Sequence, residues 1–214
     1  MKSLPDGPFK AYMGTFSNSP APRLGFFGGT FDPPHNGHLE IARAAIQKAK
    51  LDKLLFCPAY QAPLRTEPSF FSALDRLAMV QAICQNCSKM ECYDAEVKHG
   101  ITRYSYETIE EVKSNFPGYD LFLILGDDQF SRLAEWKKVE LLAKSVHFLV
   151  FARQNRHQNK PDMQHLDYSF MDNALINLSS TDIRKHLHHN HLPESSIPPE
   201  VTSYIRNHNL IPLQ

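Results

Sequence analysis

Short apolar runs alternate along the chain with longer stretches in which apolar positions recur every three or four residues. The runs Leu24–Gly28, Lys53–Cys57, Met90–Ala95, Asp120–Gly126, Val146–Phe151 and Ala174–Asn177 are each bounded by polar or turn residues. Continuous apolar runs of this length suit strands covered on both faces, as in parallel sheets. Helical periodicity spans Gly37–Ala49, Ser72–Asn86, Ser105–Asn115, a broken segment from Gln129 to Ala143, Thr181–His188 and Pro199–Asn207. Ser72 with Asp75 reads as a capping-box start, and Pro199 suits a first helical turn. The alternation predicts an α/β fold, a doubly wound parallel sheet with C-terminal helices. The polar stretch Arg153–His165 reads as a loop, and Pro193–Pro199 separates the last two helices. Residues 1–23 hold no continuous apolar segment and read as a flexible N-terminal extension to a domain over 24–214.

Composition narrows the class. Of 214 residues, 42% are hydrophobic and 21% charged, which excludes disordered and fibrous chains. Lys+Arg and Asp+Glu both total 23, so no global field gathers nucleic acid or an anionic membrane. No apolar run approaches the roughly 18 residues that cross a bilayer. The four cysteines read as reduced thiols, which sets the expected compartment as the cytoplasm. Cys84 and Cys87 with Cys92 invite a zinc reading, but they lack the paired clusters of zinc sites and are read as thiols. The run His186–His191 reads as the exposed end of a helix, with no resident metal.

The segment Gly25–His38, GFFGGTFDPPHNGH, carries the most chemistry. A predicted strand runs into Gly28 and Gly29, where the missing Cβ atoms permit an unusual turn and a close ligand approach. Two prolines stiffen the loop, and His35 and His38 flank Gly37 at a predicted helix start. Free helix N–H groups, the helix dipole and two imidazoles together favour a polyphosphate at the strand's carboxyl end. The spacing is neither the Rossmann fingerprint nor a P-loop.

A second constellation, Leu178–Arg184 (LSSTDIR), also follows a predicted strand. Ser179 or Ser180 is a natural N-cap, Ser180 and Thr181 offer hydroxyls beside the first free N–H groups, and Arg184 lies one turn on. Helical side chains lean toward the N-terminus, so the guanidinium points back at a bound anion.

Taken together, GGTFDPPHNGH and SSTDIR resemble the nucleotidyltransferases with an HxGH signature, most closely the bacterial nicotinate-nucleotide adenylyltransferases, over about Leu24 to Leu213. Weaker matches fall in order: Pro63-Leu64-Arg65, the Ser72–Met79 helix with Arg76, Tyr104–Ile109, Gly126-Asp127-Asp128 with Trp136, and Tyr204-Ile205. Two positions depart from the family pattern: Leu64 replaces a common histidine, and Lys137 follows Trp136 where an aromatic is common.

The resemblance implies a Rossmann-like nucleotidyltransferase fold. It implies transfer of AMP from ATP to the 5′-phosphate of nicotinate mononucleotide, giving nicotinate adenine dinucleotide and pyrophosphate. The nucleophile is then an anionic phosphate oxygen, so positioning and charge neutralisation carry the reaction without a general base. His35, His38 and Arg184 become the catalytic set. Gly28, Gly29, Thr30, Phe31, Gly37, Ser179, Ser180 and Thr181 become ATP contacts, and Asp32, Arg65, Ser105, Gly126, Asp128 and Trp136 contacts of the acceptor. Asp128 is suited to ribose hydroxyls, and the flat face of Trp136 to the pyridine ring. Backbone N–H groups near Ser105 and after Trp136 favour a ring carboxylate, and Lys137 adds charge if its side chain turns inward. Mg²⁺ is expected on the ATP phosphates, with no metal site of the protein's own. The expected partners are these two small molecules, with self-association left open. Nicotinamide mononucleotide or phosphopantetheine as acceptor, and a catalytically silent nucleotide-binding regulator, are the alternatives.

Overall fold

A computed structural model describes residues 20–63, 67–152, 160–163, 166–173 and 178–212. In chain order these form β1 (Arg23–Gly29), α1 (Asn36–Lys48), β2 (Lys53–Pro58), α2 (Ala73–Cys84), β3 (Met90–Cys92), α3 (Ala95–His99) and α4 (Ser105–Asn115). There follow β4 (Asp120–Gly126), α5 (Asp127–Ser131), α6 (Val139–Ala143), β5 (His147–Phe151), β6 (Tyr168–Met171), α7 (Ser180–His188) and α8 (Pro199–Asn207). All five strand pairings are parallel, in the order β3-β2-β1-β4-β5-β6. This is the doubly wound α/β arrangement expected from the alternation. The strand order reverses between β1 and β4, and the chain leaves their carboxyl ends toward opposite faces. A crevice opens at such a switch point.

Alternation within β1 divides the core. Phe27 faces one apolar cluster with Leu54, Phe56, Val80, Ile183 and Val201, on the side of α1, α2, α7 and α8. Its neighbour Phe26 faces another with Leu55, Ile109, Leu123, Phe130 and Phe148, on the side of α4, α5 and α6. The central strands β1, β2, β4 and β5 are therefore covered on both faces, and the runs that form them are largely apolar rather than alternating.

The differences from the sequence reading have local causes. β3 stops at Cys92 because Asp94 turns the chain into α3, whose end is set by Gly100 in the left-handed region at φ 62°. The sixth strand is Tyr168–Met171, an edge strand whose mixed aromatic and polar sequence lacks the continuous apolar signature. The predicted strand Ala174–Asn177 lies outside the described residues, as do residues 1–19 and most of the predicted loop Arg153–His165. Arg23, assigned above to the extension, is the first residue of β1. Its N–H donates to Asp52 and its Nη1 to the Ala49 carbonyl. Among the described residues no helix is long and apolar enough to cross a membrane.

One buried cation organises the carboxyl ends of the first two strands. Arg76, on α2, is only 1% exposed. Its Nη1 donates to the carbonyls of Thr30 and Ala59 at 2.6 and 2.7 Å, and its Nη2 to that of Tyr60 at 2.8 Å. A buried guanidinium is tolerated because carbonyl dipoles replace its water, and in return it fixes the exit paths of both strands. Replacement by Met keeps much of the volume but buries no cation and leaves three carbonyls without their shared donor. We expect Arg76→Met to destabilise the protein by about 2–5 kcal/mol in urea unfolding; a loss below about 1 kcal/mol would show the clamp to be dispensable.

Candidate active site

The loop after β1 is where the strand's carboxyl end meets α1. Gly28 is exposed, while Gly29 and Thr30 are half-buried. A Cβ on Gly29 would stand 3.1 Å from the Phe31 ring, a tight contact that would require the ring to give way slightly. Phe31 adopts φ 50° and turns its ring beneath the loop, edge-on to Phe27 and Phe56. The ring is 2% exposed, which corrects the expectation for Phe31: its side chain belongs to the core, and only its backbone can face a ligand.

His35 is the N-cap of α1, and Gly37 and His38 lie in its first turn. The His35 backbone N–H donates to His38 Nδ1 at 3.2 Å, so His38 does the work of the acidic residue of a capping box. The geometry fixes a tautomer: with Nδ1 accepting, the proton of a neutral His38 ring sits on Nε2. The two imidazoles stack at 3.7 Å with 24° between their planes. His38 is half-buried, whereas His35 lies beneath it at 1% exposure. The pair is thus brought together as expected, but His38 is the more open of the two.

α7 docks on the same loop. Ser179 caps it, accepting from the Asp182 N–H at 3.1 Å, and the Ser180 hydroxyl donates to the Pro33 carbonyl at 3.1 Å. Arg184 donates from Nη1 to the Asp32 carbonyl at 2.9 Å and from Nη2 to the Thr181 hydroxyl at 3.0 Å. The guanidinium therefore does point back toward the helix start, beside the loop that carries the histidines. Asp32 is placed differently from expectation. It is fully buried, and its two oxygens accept the N–H groups of Phe70 and Phe71 at 2.9 Å each, with Arg184 Nη1 3.7 Å away. Its carboxylate is spent on tying the loop to the approach of α2, so it is corrected from an acceptor contact to a structural brace.

Across the crevice, Gly126 ends β4 and is the N-cap of α5. The Asp127 carboxylate holds the Asp128 N–H at 3.0 Å, which leaves the Asp128 side chain exposed at the helix start rather than capping it. Trp136 is half-buried and packs on the cluster beneath α4 to α6. Ser105 opens α4, next to Tyr104 and Tyr106. Lys137 Nζ lies 4.2 Å from the Tyr104 ring centre, so its side chain turns toward the start of α4. Arg65 lies outside the described residues. The burial of Arg76 has no signature in the sequence, since an arginine in an amphipathic helix ordinarily reads as a surface charge.

The cysteines remain free thiols: Cys57 and Cys84 are buried, Cys87 and Cys92 half-buried. Among the described residues no three His, Cys, Asp or Glu side chains group as a metal-ligand set. Burial, reinforced by the neighbouring thiol and Glu91, pushes Cys84 up to about 12; burial, then Cys84, Asp94 and Glu91, does the same to Cys92.

Known proteins share this family and fold. A cytidylyltransferase-like family model matches residues 26–186. A Neisseria meningitidis protein named "Probable nicotinate-nucleotide adenylyltransferase" is 34% identical over 198 residues, covering 88% of this chain and 98% of its own. A Solibacter usitatus protein of the same name is 35% identical over 190 residues, covering 88% and 98%. The crystal structure of Plasmodium falciparum nicotinic acid mononucleotide adenylyltransferase complexed with NaAD superposes with a TM-score of 0.68 at 21% identity, covering 88% of this chain and 97% of that one.

The thiol environment yields a measurable outcome. At pH 8, a thiol raised to about 12 presents roughly 10³-fold less thiolate than an ordinary one. Alkylation of Cys84 and Cys92 by iodoacetamide, followed by peptide mass spectrometry, is therefore expected to be slow in the folded protein and to accelerate with rising pH. Equal rates in folded and urea-unfolded protein would contradict it.

Proposed function

The chain belongs to the nicotinate-nucleotide adenylyltransferases of the cytidylyltransferase-like family, and on that premise we propose that it transfers AMP from ATP to nicotinate mononucleotide, releasing pyrophosphate and forming nicotinate adenine dinucleotide. The observation that carries the mechanism is the convergence of His38 and Arg184, from α1 and α7, on the loop at the carboxyl end of β1.

The ATP phosphates lie along the start of α1, where backbone N–H groups, Gly37 and the dipole meet them. Gly28 and Gly29 let the phosphate chain approach the backbone, and Thr30, Ser179, Ser180 and Thr181 border the same channel. Mg²⁺ arrives as part of the nucleotide, offsetting charge between its phosphates. The acceptor occupies the β4 side, with its ring on Trp136, its ribose near Asp128 and Gly126, and its carboxylate toward the start of α4 at Ser105. Its phosphate oxygen attacks the α-phosphorus in line with the departing pyrophosphate.

Charge builds on the leaving group, and two donors are preorganised for it. His38 offers Nε2–H because its Nδ1 is already engaged. Arg184 brings to the same loop a guanidinium oriented by the Asp32 carbonyl and the Thr181 hydroxyl. His35 supports His38 by stacking on it, which fixes the orientation of the outer ring. The free cysteines support a cytoplasmic setting.

The direct test is pyrophosphate release from ATP with nicotinate mononucleotide, nicotinamide mononucleotide and phosphopantetheine in parallel. The first is expected to have the highest kcat/KM. No turnover with any of them would favour a silent nucleotide-binding regulator. His38→Ala is expected to lower kcat by about 10²–10³-fold with a much smaller change in KM for ATP; a variant with parental kcat would remove the ring from the mechanism. Trp136→Ala is expected to weaken both pyridine nucleotides by about 1–3 kcal/mol while the preference between them survives. Loss of preference with the weaker substrate untouched would overturn the stacking role.

A further inference from the structure

Two consecutive lysines reach the start of α4. Lys137 Nζ lies 4.2 Å from the centre of the Tyr104 ring and Lys138 Nζ 4.5 Å from that of Tyr106. The two rings are nearly parallel, 21° apart with centroids separated by 6.4 Å. Neighbouring residues of an extended chain point to opposite sides. Here Lys138 adopts φ 52°, and both ammoniums meet the same helical turn.

The charges around this turn do not cancel. Glu107 is the one carboxylate within it, and it accepts from the Tyr104 N–H at 2.9 Å and the Tyr106 hydroxyl at 3.0 Å. Nearby Arg103 pairs with Glu111, and Arg132 with Glu135. Asp127 and Asp128 stand at the start of α5, on the β4 side. Two ammoniums thus face one carboxylate beside Trp136, and among the described residues Lys137 makes no ion pair of its own. Its ammonium rests instead on an aromatic face, a contact that leaves room for an anion on its other side.

On the reading given above, the acceptor ring stacks on Trp136, one residue before Lys137. We infer that the Lys137 ammonium selects a ring carrying a carboxylate over the same ring carrying an uncharged carboxamide. Stacking senses the ring and is nearly blind to that substituent, whereas an ammonium attracts a full negative charge more strongly than an amide dipole. Lys137 suits the task better than Lys138. Its partner Tyr104 is half-buried at the mouth of the helix, whereas the Tyr106 ring is buried at 8% exposure.

Trp136 is the sole tryptophan and reports binding directly. Its fluorescence is followed while the protein is titrated with nicotinate mononucleotide and, separately, nicotinamide mononucleotide, in parent, Lys137→Met and Lys137→Arg. The parent is expected to favour the nicotinate form. Lys137→Met is expected to lose about three- to tenfold of that preference, entirely through weaker binding of the nicotinate form, and Lys137→Arg to retain it. Raising NaCl from about 0.05 to about 0.5 M should narrow the preference of the parent and leave that of Lys137→Met unchanged. Equal weakening of both nucleotides, an unchanged preference in Lys137→Met, or no binding of either by the parent would overturn the inference. The readout does not require turnover: selective binding without pyrophosphate release would sustain the role of Lys137 while refuting the proposed reaction.

Discussion

The buried guanidinium of Arg76 is the constraint on which the crevice depends. A parallel sheet leaves the carbonyls at its carboxyl ends without strand partners just where the chain must turn away, and burying such groups unpaired is costly. Arg76 gathers the carbonyls of Thr30, Ala59 and Tyr60 around one cation. This sets the direction in which the loop leaves β1, and hence where α1 begins. Asp32 complements it from the loop itself, holding the N–H groups that precede α2. Together the two charged groups lock the loop to α2 from opposite directions, so the histidines are presented by a frame rather than by a free turn.

The crevice also joins two chemistries that the sheet keeps apart. On the proposed function, the face with α1 and α7 supplies the donors to phosphates, and the face with α4 to α6 the indole, tyrosines and lysines that meet an aromatic anion. Strand order alone makes them meet, because β1 and β4 are neighbours whose following helices lie on opposite faces. Neither half would be a site for joining two nucleotides without the other.

Much of this was legible in the sequence. Continuous apolar runs gave five of the strands within a few residues, and the two motifs marked the loop and helix starts that converge. What escaped follows from physics that one-dimensional pattern does not carry. β6 is an edge strand with a mixed pattern, so periodicity could not separate it from loop. α3 is one short turn ended by Gly100, too brief to show a helical period. The roles of Arg76 and Asp32 were hidden because a charged residue advertises solvent until its partners are known, and those partners are backbone groups with no sequence signature. The inward turn of the Phe31 ring has no signature either: motif membership says nothing about which way a side chain turns.

The bond from Arg184 to the Asp32 carbonyl spans 152 positions of sequence. During synthesis the chain emerges from its N-terminus, so the loop with the histidines, β1 to β4 and their covering helices are all available before α7 exists. A nascent chain can therefore build most of the sheet while the loop after β1 still lacks the helix that docks on it. Docking of α7 becomes a late, long-range event, and a truncated or stalled product that ends before α7 carries the first motif without Ser180 and Arg184 to brace it.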